Sequence, residues 1–104
     1  MPYIKQEDRV RYDSIVDQLK VKLFEAADEN TTICFAGHLN YIITSLIKKT
    51  YEGYLEKEGG GKLCYSDYNE IIGMLSCCLL EEYRHIIGPY EEKAMKNNGD
   101  VKWV

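Results

Sequence analysis

The chain has only two prolines, no apolar run long enough to span a bilayer, and no stripe of basic residues. With so little proline and an ordinary apolar fraction of 45%, it reads as a folding chain rather than a linker or a disordered tract. Its longest apolar run, Ile71 to Leu80, is interrupted by Gly73 and Ser76. That run is about half of the ~20 residues a membrane-spanning helix needs, so no membrane segment is expected. The 13 Lys and Arg residues are scattered among 17 Asp and Glu, for a formal net charge of -4. Such a surface does not neutralise phosphates in series, which excludes duplex nucleic acid as an expected partner.

The opening Met1-Pro-Tyr-Ile-Lys-Gln-Glu-Asp8 lacks the charged start, apolar centre and small-residue cleavage site of a secretory signal, so the expected location is the cytoplasm. The four cysteines, Cys34, Cys64, Cys77 and Cys78, lack the two-residue spacing that closes a structural zinc chelate. Two of them are adjacent, and in a cytosolic chain all four are expected as reduced, buried thiols. No internal repeat or low-complexity tract is present.

The 104 residues make room for one domain with one modest core. Tyr12, Ile15, Val16, Leu19, Leu23 and Phe24 recur at threes and fours, which predicts a helix over about 8–29. The polar break 28–32 ends it, and Leu39, Ile42, Ile43, Leu46, Ile47, Tyr51, Tyr54 and Leu55 mark a second helix over about 37–58. Gly59-Gly-Gly61 stops that helix, because three glycines lose too much backbone entropy to continue it. A third helix is expected over about 66–87, with a possible Asp67 to Glu70 capping box. Gly88-Pro89 then either kinks it or opens a short fourth helix over about 89–97, with Asn97-Asn-Gly99 as the stop. The expected fold is all-α: a small bundle of three long helices and a short C-terminal one. So few helices have limited means of closing a core alone, which makes a homo-oligomer an expectation.

Three blocks of the sequence resemble a family of small uncharacterised proteins common in phage and prokaryotic genomes. They are Met1-Pro-Tyr-Ile4, Gly37-His-Leu-Asn-Tyr-Ile-Ile-Thr44, and an ending made of Glu82-Tyr-Arg-His85, Pro89-Tyr-Glu91, Lys93 and Asn98-Gly-Asp-Val101. The resemblance runs through most of the chain in register and implies no activity. This chain departs from it at His38, where relatives usually carry an acidic residue, and at His85, where they usually carry arginine.

Polar chemistry gathers toward the C-terminus. Arg84, His85, Tyr90, Lys93 and Asn98 suit an anionic, nucleotide-like small ligand, since arginine forks and tyrosine hydroxyls recognise such groups. Asn40 and Tyr41, at the start of the second helix, are candidates to join them through the free amides of that helix end. The bland reading is a solvated helix surface, with Arg84 paired to Glu81 or Asp100, His85 paired to Glu81, and Asn40 and Thr44 satisfying backbone groups. Glu82-Tyr-Arg-His85 has the ExxH spacing of di-iron bundles, but one copy is not a site, so Glu81, Glu82 and His85 are weak metal candidates and no cofactor is expected. The glutamates Glu81, Glu82, Glu91 and Glu92 look like the magnesium ligands of all-α nucleotide pyrophosphatases of the MazG kind. The third acidic ligand of that signature falls on His85, where the match fails. The favoured expectation is therefore a non-catalytic binding module engaging a host protein or a small anionic ligand. A magnesium-dependent nucleotide hydrolase and a purely structural oligomerisation protein are the alternatives.

Overall fold

The computed structural model describes residues 2–30 and 32–103. Thr31 of the expected polar break, and the terminal Met1 and Val104, lie outside the described residues. The chain is all-α, with no strand among the described residues: α1 (Gln6–Glu29), α2 (Phe35–Lys57), α3 (Tyr65–Glu82), a π turn (Tyr83–Ile87) and α4 (Gly88–Asn98). It divides into two units, Tyr3–Cys64 with α1 and α2, and a second built on Tyr65–Val104.

In the first unit, α1 starts where the amides of Asp8 and Arg9 turn back to the Lys5 carbonyl, at 2.9 and 3.2 Å. Glu7 and Asp8 occupy its first turn, where negative charge complements the helix dipole. At the other end Asn30 leaves helical space at φ -144°. Its side-chain oxygen accepts from both the amide and the hydroxyl of Thr32, at 3.1 and 2.7 Å, so the asparagine folds the chain out of the helix. Helix α2 begins two residues before the expected Gly37, because His38 N–H reaches the carbonyl of the extended Cys34 at 3.2 Å and closes the first turn there. The rings of Phe24 and Phe35 meet across the connection with centroids 5.6 Å apart.

The glycine stop acts as expected, with a defined geometry. Gly60 N–H bonds to Leu55 O at 2.7 Å and Gly59 N–H to Glu56 O at 3.2 Å, the paired bonds of a Schellman cap. Gly59, Gly60 and Gly61 take φ of 88°, 91° and 106°, a region that residues with a Cβ rarely enter.

In the second unit the chain stays helical from Tyr65 to Asn98. At Gly88-Pro89, expected either to kink the third helix or to open a fourth, a π turn carries the helix on into α4. Proline has no amide, and in a regular helix its ring collides with the carbonyl four residues back, here His85. The wider turn relieves this: Gly88 N–H bonds to Tyr83 O, five residues back. Gly88 suits that approach, since a Cβ there would lie 3.2 Å from Tyr83 O. Because α3 starts at Tyr65, Asp67 sits inside the first turn. Gly99, at φ 83°, ends α4 and donates to Met95 O at 2.8 Å.

None of the described side chains is buried. The cysteines follow suit and correct the expectation of buried thiols: all four are free, Cys34, Cys64 and Cys78 are exposed, and Cys77 is half-buried. The apolar stripes read from the sequence are present as helix faces, and Ile15, Val16, Leu46, Ile72, Leu79 and Ile86 are each more than half exposed.

Candidate functional site

The π turn organises the polar C-terminal residues. In an uninterrupted α-helix, two residues eight apart point about 80° from each other. The one extra residue of a π turn brings the same pair to within about 20°. Tyr83 and Glu91 are such a pair, and the Tyr83 hydroxyl donates to the Glu91 carboxylate across the turn. That hydrogen bond, reinforced by the negative charge of Glu91 and by slight desolvation, raises the Tyr83 phenol above its ordinary value of 10.0.

On the same turn Glu81 gathers two partners. Its carboxylate receives Arg84 Nη2 at 3.1 Å and His85 Nε2 at 3.2 Å, while Arg84 Nη2 also lies 3.1 Å from His85 Nε2. These are the one-turn pairings of a helix surface, each worth a few tenths of a kcal/mol. Glu82, the residue of the ExxH spacing, is not the one that holds His85. Among the described residues no group of three or more His, Cys, Asp or Glu is placed to hold a metal ion.

An open cleft of about 530 Å³ lies over the π turn, lined by Leu80, Tyr83, Arg84, Gly88, Pro89 and Glu92. Its walls are mainly apolar, and its two charges, Arg84 and Glu92, are of opposite sign. A second cleft of about 340 Å³ runs where the tail follows α4, and Asn98 and Trp103 help to line it. There the Asp100 carboxylate accepts from Val101 N–H at 2.6 Å and from the Trp103 indole at 3.3 Å. Tyr90 is largely exposed, and Lys93 is exposed too. The expected set is therefore divided: Arg84 lines the first cleft, Asn98 the second, and His85, Tyr90 and Lys93 line neither.

Asn40 and Tyr41 belong to the first unit. Asn40 Oδ1 accepts from the Thr44 hydroxyl at 3.1 Å, one turn along α2, so the two side chains pair with each other where backbone capping was expected. Tyr41 is exposed beside Gly37, His38 and Ile42, around an open hollow of about 520 Å³.

Sequence reasoning missed Gly88, Pro89 and Glu92 as parts of the first cleft, and Glu91 as part of the second. The signal was available in a Gly-Pro pair inside a strongly helical pattern, since π turns are often found at functional positions. These features define an all-α protein whose last helix carries a π turn. The chain belongs to the family described as a domain of unknown function, DUF6899, which matches residues 1–101. Neither a curated protein nor a solved structure matches it.

Proposed function

We propose that this protein is a non-catalytic interaction module that works as an assembly, its helices presenting apolar faces to protein partners. One observation supports this reading above the others: no described side chain is buried, while large aliphatic residues stand exposed along every long helix. Exposed apolar faces of this extent mark protein interaction surfaces. A phage or mobile-element setting and a cytoplasmic location, both expected from the sequence, accompany the proposal, in keeping with the lack of any described helix long and apolar enough to cross a membrane.

The competing readings find less support. An anionic ligand would meet Arg84 already bridged to Glu81, in a cleft that also holds Glu92. A magnesium-dependent hydrolase needs converging carboxylates, and the described residues offer no such group.

The test is denaturation of the full chain across a range of about 1 to 100 µM. An assembly gains stability by mass action, so its midpoint rises with protein concentration. A midpoint that does not move with concentration, but climbs when a nucleotide is added, would overturn the proposal in favour of the small-ligand reading.

A further inference from the structure

The geometry points to a second copy of this chain as the occupant of the cleft over the π turn, the two helices pairing antiparallel with Gly88 on the two-fold axis. This rests on the assembly reading above and names one of its contacts. A two-fold contact is self-complementary: if residue i of one copy meets residue j of the other, then j meets i. With Gly88 on the axis, four residues to one side lie opposite four to the other. Arg84 of each copy then faces Glu92 of its mate, and both residues line the cleft together with Gly88.

The spacing supports this, since each residue stands about 6 Å along the helix from the axis. The same operation sets Tyr83 against Lys93 and Leu80 against Lys96, whose aliphatic stem suits an apolar neighbour. No pair in this register brings two like charges together. Arg84 keeps its bond to Glu81 at 3.1 Å, because a guanidinium carries five donors and serves two carboxylates at once. Gly88 adds no side chain of its own at the crossing, where the neighbouring Tyr83 ring lies 3.8 Å from the place a Cβ would take. Mixed polarity around the cleft, awkward for a small anion, is what a self-pairing surface requires.

Charge reversal tests this on the full chain by sedimentation equilibrium, with helix content followed by circular dichroism. Arg84→Glu and Glu92→Arg should each weaken the dimer by about tenfold or more, because each creates two like-charge contacts at the axis. The double variant should restore association, and so should an equimolar mixture of the two single variants, in which every cross pair is again opposite in sign. Should a reversal lower the helix content, Arg84→Ala and Glu92→Ala replace it, each expected to weaken the dimer by about threefold. A dimer indifferent to all four substitutions would overturn this contact and leave the assembly reading standing on another face. A chain that is monomeric throughout, with a concentration-independent midpoint, would overturn both.

Discussion

Replacing Gly88 with alanine should lack the gain that the same change gives at Gly53 or Gly73. Gly53 and Gly73 lie inside α2 and α3, and a Cβ at either would find no atom within 4 Å. There, alanine should gain the ordinary helix-propensity difference of about 1 kcal/mol. For a domain of this size that is a rise in Tm of about 4 to 8 °C. At Gly88 the added Cβ would sit 3.2 Å from the Tyr83 carbonyl and 3.8 Å from its ring. That carbonyl is the acceptor for Gly88's own amide, so it cannot retreat without opening the π turn. Overpacking of this kind typically costs about 1 kcal/mol or more, which cancels the propensity gain. Gly88→Ala should therefore be neutral to destabilising, at least about 1 kcal/mol below Gly73→Ala on the same scale. The assay is chemical denaturation followed by circular dichroism, at one protein concentration where all variants share an assembly state. An equal gain at Gly73 and Gly88 would refute the close approach, and with it the account of how the helix passes Pro89.

Other perturbations follow from single contacts. Tyr83 has a raised phenol pKa in the folded state, so its contribution to stability is fully present below the ordinary value of 10.0 and is lost as pH climbs through the raised one. Tyr83→Phe should remove that part of the alkaline loss, seen in denaturation midpoints across high pH, and an unchanged pH profile would count against the Glu91 bond. Asn30→Ala should cost about 0.5 to 1 kcal/mol by removing the acceptor for Thr32 at the exit from α1, measurable by denaturant titration. Asp100→Ala should free the indole of Trp103, the only tryptophan, lowering its fluorescence anisotropy; an unaltered signal would show that the tail does not depend on that carboxylate.

How much of this was legible in the sequence depended on the range of the interaction. The helices could be read because Leu19, Leu23, Leu46, Ile72 and Leu79 recur at a period set by backbone geometry alone. The glycine stop at 59–61 and the asparagine-glycine stop at 97–99 could be read because glycine and asparagine accept a left-handed backbone that other residues avoid. Glu81's pairing with Arg84 and His85 was visible as three- and four-residue spacings. The Tyr83–Glu91 bond was not, because residues eight apart are not neighbours in a regular helix, and only the hydrogen-bond ring chosen at Gly88-Pro89 makes them so. Burial was misjudged at Cys34, Cys64 and Cys78: the high average burial of cysteine describes chains that close a core around it.

The π turn also gives this helix an unusual genetic property. Deleting a single codon from an ordinary helix rotates everything beyond it by about 100° and scrambles its faces. Between Tyr83 and Ile87 the chain already carries one residue more than the α repeat requires, so losing a codon there would restore the α repeat, with strain left only where the Pro89 ring meets the preceding turn. Everything from Gly88 onward would then keep the side it already faces, because seven residues of regular helix place Glu91 within the same angle of about 20° from Tyr83 that eight do across the π turn. Losing one codon in this short window would therefore spare the faces that the protein presents as well as its helix.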